Sequence, residues 1–260
     1  MELEGKVAVV TGGSKGIGKA IAQKLAEEGA DVVIAARTQE TLDSVASDIS
    51  GSTGRQVLAI AADLATLDGC ELLHREATAG LDHIDILINC AGATQAGPFL
   101  ELPDEKWQEG FDLKFFGAVR LSRLFWPDLV ASHGTVIHID GGMARTPNPR
   151  FAIGGSVNAA LANFGKALAG LGLVDDVNVN IIHPGQTLTD RLGEIIEAQA
   201  AQAGQTAAEF QQASIDRQGI RRLGTPEDVA ELAVFLCSPR ARHIQGTAIS
   251  VDGGATKSLF

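Results

Sequence analysis

The sequence predicts an α/β fold, a single doubly wound domain with a seven-stranded parallel sheet and helices on both faces. Three observations predict it. Short β-branched runs alternate with longer helical patterns along the whole chain, several of those runs are apolar on consecutive positions, and a glycine-rich turn separates the first run from the first helix. The first strand is placed at Lys6–Thr11, whose VAVV core suits a strand buried on both faces. Gly16–Glu28 follows as a helix, because Ile17, Ile21 and Leu25 fall four residues apart and share one face. Asp31–Ala36 is the second strand, Glu40–Ile49 the second helix, and Gln56–Ala61 and Ile84–Asn89 are the third and fourth strands. One long helix is expected over Lys106–Leu129, then a strand at Thr135–Asp140, a helix at Val157–Leu171 and a strand at Asn178–His183. The polar, Ala/Gln-rich stretch Glu197–Ala213 interrupts the alternation and reads as part of a helical insertion over about 188–215, either a lid over a site or a solvated helix with no gating role. Thr225-Pro226-Glu227-Asp228 reads as an N-cap, a proline at the first helical position and two dipole-favoured acids opening the helix Pro226–Leu236. A strand at Thr247–Val251 closes the alternation, and right-handed crossovers make the sheet parallel. Pro147 and Pro149 mark a loop, but no repeat or low-complexity linker divides the chain, so 1–260 is read as one domain.

The chain has 260 residues, 45% hydrophobic and 20% charged, ordinary values that argue against disorder. Twenty-one basic against 32 acidic residues give a net charge of −11, which disfavours nonspecific nucleic-acid binding. Tyrosine is absent altogether, so no phenolic acid or base is available. Cys70, Cys90 and Cys237 are far apart with no CxxC spacing, and the acidic start MELEGKVAVV lacks a signal peptide's basic region. No uninterrupted apolar stretch approaches the roughly 20 residues of a membrane span. A soluble cytoplasmic protein with no membrane partner is the expectation. His74, His83, His133, His138, His183 and His243 are dispersed, and neither HExxH, GxSxG nor a P-loop is present, so no metal site is expected.

Thr11-Gly12-Gly13-Ser14-Lys15-Gly16-Ile17-Gly18 sits between a strand and a helix. Glycines there let the backbone approach a pyrophosphate, and the helix N-terminus supplies free N–H groups, which is the dinucleotide-binding arrangement of a Rossmann-type domain. About 20 residues on, where an acid binds the ribose of NAD, the chain has Ala36 and Arg37. Arg37 can pair with a 2′-phosphate and Lys15 adds a second cation, so NADP(H) is favoured over NAD(H).

On these residues the chain is similar to the short-chain dehydrogenases/reductases along essentially its whole length. TGGSKGIG resembles that family's cofactor loop, and Asn89-Cys90-Ala91-Gly92 its NNAG segment. The resemblance implies that Gly12, Ser14, Lys15, Gly16, Ile17, Gly18, Arg37, Asp63, Leu64, Asn89, Ala91 and Gly92 contact cofactor, with Asp63 at the adenine ring. Pro184-Gly185 with Thr187 and Thr189 matches the stretch that contacts the nicotinamide amide, and Ser250-Val251-Asp252-Gly253-Gly254 resembles a strand ending that often packs in a tetramer interface. A small-molecule substrate and a homo-oligomer, tetramer or dimer, are implied with it.

The family's four catalytic positions are changed. Its Asn aligns with Lys114, its Ser with Gly141, its Tyr with Gly154 and its Lys with Asn158. Gly141 and Gly154 have no side chain to polarise or protonate a substrate oxygen, while Asn158 keeps a hydrogen-bonding group toward the nicotinamide ribose. Lys114 is the candidate replacement acid or base. Asp140 reads as a structural cap, His138 as a satisfied core histidine, His183 as a strand-end residue, and Arg145 and Arg150 as flanking the substrate mouth. The first functional expectation is an NADP(H)-dependent oxidoreductase acting on a small carbonyl or alcohol through a rebuilt acid/base group. The alternatives are a catalytically inactive cofactor-binding or oligomer-partner protein and a non-redox enzyme reusing the pocket.

Overall fold

A computed structural model describes residues 1–258. Seven strands, β1 (Val7–Thr11), β2 (Asp31–Ala36), β3 (Val57–Ala61), β4 (Ile86–Asn89), β5 (Thr135–Ile139), β6 (Asn178–Pro184) and β7 (Ala248–Val251), form one sheet. Every pairing is parallel and the order is β3-β2-β1-β4-β5-β6-β7. The strand order reverses between β1 and β4, which opens a crevice at their C-terminal ends.

Consecutive apolar residues are needed because both faces are covered. Ala8 and Val10 of β1 pack with Ile34, Ile88 and Ile137 beneath α1 (Gly16–Glu27), α2 (Gln39–Thr53) and α9 (Pro226–Cys237). Val7 and Val9 point the other way, into a second core under α3 (Leu67–Gly80), with Leu73, Leu121 and Phe125. Full burial of such side chains contributes roughly 1.5–3 kcal/mol each, and β1 and β2 accordingly carry apolar residues on both faces along VAVV and VVIAA. Helix α3 was not among the helices read from the sequence. Its buried Cys70, Leu73 and Ala77 fall three and four apart, but Gly69 in the first turn breaks the pattern, and the helix is opened by Thr66 accepting from the Gly69 amide at 3.0 Å.

The expected long helix over Lys106–Leu129 is three pieces. An α-helix, α4 (Asp104–Gly110), runs into a π-helical segment, Phe111–Phe116, and then into α5 (Gly117–Ser132). The wider π turn, a rare form that often marks functional sites, carries Lys114. The expected insertion is two helices, α7 (Asp190–Ala203) and α8 (Ala207–Gln218), joined at Gly204 and packed on a small core of Ile196, Ile215 and Leu223. Thr225 caps α9 as expected, its amide donating to Asp228 at 2.7 Å.

Helix α6 (Ala152–Asp175) packs on β6. Although no single apolar run is long enough, the helical stretch Pro149–Asp175 is long and apolar enough to cross a membrane by length and composition alone. Its inner residues Ile153, Val157 and Leu161 are buried against the domain, while Leu171, Leu173 and Val174 near its C-terminus are exposed. At the opposite side of the molecule β3 is an edge strand, and the Gln39 side-chain amide donates to the Ala59 carbonyl at 3.2 Å and accepts from the Ala61 amide at 3.1 Å.

Candidate active site

The crevice begins at the turn from β1 to α1. Gly12 and Gly16 have φ of +70° and +54°, the left-handed region that favours glycine, and a side chain on Gly18 would overlap the Gly12 carbonyl oxygen. A Cβ on Gly12 would stand 3.1 Å from the Ala91 backbone, so the turn lies directly against the end of β4. Thr11 ties the two strands together. Its buried hydroxyl accepts from the Cys90 and Ala91 amides at 2.9 Å each and donates to the Ile88 carbonyl at 3.2 Å. A tight glycine cradle at a helix N-terminus, open at the crevice, is the shape a dinucleotide pyrophosphate needs.

Around this cradle, Lys15 and Arg37 are exposed, Ser14 and Ile17 are half-buried, and no acid ends β2. Asp63 is exposed, its carboxylate accepting from the Ala65 amide at 3.1 Å, and Leu64 is buried. Thr189, the N-cap of α7, lies 3.1 Å from where a Gly16 Cβ would be, so the helical insertion starts beside the glycine turn. Thr187 is buried and donates to the Gly185 carbonyl at 3.2 Å, and Gly185, after Pro184, lies close against Asp252. The Asn89 side chain is turned inward, its amide 3.4 Å from the Ser122 hydroxyl and 3.3 Å from His138 Nδ1.

Lys114, Gly141 and Asn158 meet at the C-terminal end of β5. The Lys114 stem lies across Gly92, where a Cβ would come within 2.7 Å of its Cδ, and its ammonium donates to the Asp140 carbonyl at 2.9 Å. Asn158 is buried, its amide 3.5 Å from the Gly141 carbonyl, and its Oδ1 is a buried acceptor with no partner. Burial pushes the Lys114 amine below the ordinary lysine range, with Arg191 acting the same way and Asp140 and Cys90 opposing it. The Cys90 thiol is itself pushed up to about 12 by burial.

Several residues emerge that the sequence did not single out, or singled out for another role. At Gly154 a side chain would overlap the Phe151 ring, whose edge fills the space into which a residue at 154 would project. Asp140 is not a cap alone. Its carboxylate accepts from the Gly141 amide and also from His183 Nδ1, with both side chains fully buried. The parallel register Ile139 to Ile182 sets the next residues, Asp140 and His183, side by side, a pairing fixed by strand register. Burial raises the Asp140 carboxyl, opposed by its bond to His183 and by the charge of Lys114. His138 is a core residue but only half satisfied, because Nδ1 faces Asn89 while the buried Nε2 has no partner. Arg145 turns from the mouth to donate to the Ala248 carbonyl at 3.0 Å, whereas Arg150 is exposed. Arg191, at the start of α7, donates to the Thr94 carbonyl at 2.8 Å and so joins the insertion to the loop after β4. Among the described residues no three metal-ligating side chains converge, and all three cysteines are free.

This architecture has many known counterparts. A family model described as enoyl-(acyl carrier protein) reductase matches residues 12–256. The 7alpha-hydroxysteroid dehydrogenase of Escherichia coli K12 is 33% identical over 261 residues, covering 100% of this chain and 97% of that protein. An uncharacterized oxidoreductase of Mycobacterium tuberculosis is 38% identical over 257 residues, covering 98% and 93%. The crystal structure of L-sorbose reductase from Gluconobacter frateurii, complexed with NADPH and L-sorbose, superimposes with a TM-score of 0.96 at 36% identity over 100% of both chains. With its glycine cradle, sheet order and full-length similarity to these oxidoreductases, the chain belongs to the short-chain dehydrogenase/reductase family.

Proposed function

We propose that the protein is an NADP(H)-dependent oxidoreductase acting on a carbonyl or alcohol group of a small molecule, with Lys114 as its acid/base group in place of the family's tyrosine. The single observation that carries this reading is the Lys114 ammonium, half-buried at the end of β5 and held by the Asp140 carbonyl where the Ser- and Tyr-equivalent positions are glycine. When bound, NADPH would supply the hydride for the carbonyl carbon, and L-sorbose reductase and a Burkholderia cenocepacia short-chain dehydrogenase are relatives seen with NADPH and NADP.

The chain's own residues supply the rest. The amides of the Gly12–Gly18 turn would hold the pyrophosphate, Arg37 and Lys15 would meet the 2′-phosphate, Asp63 and Leu64 would border the adenine, and the Ala91–Gly92 backbone, Pro184, Gly185, Thr187 and Thr189 would border the nicotinamide. The orphaned Oδ1 of Asn158 offers an acceptor to a ribose hydroxyl. Lys114 gives a proton to the substrate oxygen as it becomes a hydroxyl and takes it back in the reverse direction. Burial suits it to that exchange, because a desolvated ammonium surrenders its proton nearer neutral pH than an exposed one. The Phe151 ring over Gly154 forms an apolar wall. The insertion, which starts at Thr189 and is tied by Arg191 to the loop after β4, is assigned here as a lid over the mouth, and the exposed Leu171, Leu173 and Val174 suit a homo-oligomer.

The test is a carbonyl and alcohol panel followed by NADPH absorbance, with Lys114→Ala as control and cofactor binding measured by fluorescence. Lys114→Ala is expected to lose turnover and keep NADPH affinity within about twofold. Turnover surviving in that variant removes Lys114 as the acid. The ring of Phe151 in the tyrosine slot favours one second reading, a cofactor-binding protein without turnover, and NADPH binding with an inert panel would select it.

A further inference from the structure

We propose that Asp140 and His183 act as a positioning pair for Lys114, fixing the carbonyl that its ammonium bonds and supplying the negative charge that faces it. The inference rests on the reading of Lys114 as the acid/base group. The two side chains are buried at the ends of adjacent strands, a costly arrangement unless each satisfies the other. Both recorded donors to the carboxylate, the Gly141 amide and His183 Nδ1, converge on Oδ1, while Oδ2 is buried with no partner. The Gly141 amide and His183 Nδ1 favour the charged form of the Asp140 carboxyl against the burial that opposes it.

The consequences reach Lys114 by two routes. Holding the carboxylate against its own following amide fixes the peptide at Asp140–Gly141, so the Asp140 carbonyl stays where Lys114 bonds it at 2.9 Å. The carboxylate charge also opposes the loss of the ammonium proton. The groups facing Lys114 are Asp140 after β5, Cys90 after β4 and Arg191 from α7, and of these only Asp140 is an acid with an ordinary pKa below neutrality. Position 183 stands immediately before Pro184-Gly185, so the same histidine links the acid/base end of β5 to the backbone that borders the nicotinamide.

The experiment reads the titration of Lys114 directly, using the full-length protein labelled with carbon-13 at lysine Cε and the Lys114 resonance assigned by its loss in Lys114→Met. Asp140→Asn is expected to lower the Lys114 midpoint by about one pH unit, a tenfold loss of proton affinity. His183→Ala is expected to act in the same direction, and His183→Asn, which replaces Nδ1 with an amide donor, to restore most of the shift. The basic or acidic limb of the pH–rate profile assigned to Lys114 should move with the midpoint. Where a single variant fails to fold, Asp140→Ala/His183→Ala removes both members of the pair, so that neither is left buried without the other, and Lys114 must again titrate lower. A Lys114 midpoint unmoved in the folded variants overturns the pair. Turnover that survives Lys114→Ala overturns the acid/base reading instead, while the resonance still decides the coupling.

Discussion

Gly154 and Phe151 make a prediction in which the sign of one substitution depends on the other. A methyl group at 154 overlaps two atoms of the Phe151 ring and stands 2.7 Å from a third, so the ring must swing out. Phe151 is half-buried, which puts about 100 Å² of apolar surface at stake and a cost of about 2.5 kcal/mol. Against this, replacing glycine with alanine in a helix gains about 0.5 kcal/mol, the low end of the range because Gly154 lies in the first turn of α6. Gly154→Ala therefore destabilises the wild-type protein by about 2 kcal/mol, a fall of about 4–8 °C in Tm. In a Phe151→Ala background the obstacle is gone and the same substitution stabilises by about 0.5 kcal/mol. A thermal-melting double-mutant cycle measures the coupling, expected at about 2.5 kcal/mol. If Gly154→Ala raises Tm in both backgrounds, the ring does not occupy the slot and the account of the missing tyrosine fails.

Three further outcomes follow from the cradle and the core. Arg37→Glu should weaken NADPH binding about 10–100-fold and invert the NADPH/NADH preference, read by cofactor fluorescence, and an unchanged ratio removes Arg37 from cofactor recognition. Gly18→Ala, whose methyl overlaps the Gly12 carbonyl, should abolish cofactor binding at a stability cost of about 2 kcal/mol, checked by fluorescence titration and denaturation together. Burial holds His138 down at about 4, against an ordinary 6.5, so the fold keeps it neutral while the unfolded chain takes up a proton. Stability is accordingly full above about pH 6.5 and falls by roughly 3 kcal/mol as pH drops toward 4. Guanidinium unfolding of His138→Phe across that window should show the slope reduced by about one proton.

Much of this molecule is legible in its residues alone. Strands buried on both faces announce themselves by unbroken apolar runs such as VAVV, so all seven strands fall within two residues of where the sequence puts them at each end. The glycine turn was equally plain, because Gly12 and Gly16 do what no other residue does as easily. The fourth helix misled for a local reason. A helical pattern over Lys106–Leu129 does not reveal one turn wound wider than the rest, because a π turn changes the register of side chains and not their composition. Tertiary partners were the least legible. The bond between Asp140 and His183 joins residues 43 apart and depends on strand register, and the Phe151 ring reaches Gly154 only through the geometry where the loop enters α6. Arg145 shows the same limit, since nothing in its neighbourhood foretells the Ala248 carbonyl.

The Gln39 side chain at the β3 edge bears on how copies of this chain keep apart. Its amide behaves as a one-residue surrogate strand, occupying the Ala59 carbonyl and the Ala61 amide that another chain's backbone would need. Edge-to-edge sheet growth is therefore disfavoured at that point during refolding or at high concentration, when apolar β-branched edges otherwise template aggregation. A single side-chain amide thus withdraws from this edge two of the backbone groups that a neighbouring strand would pair with.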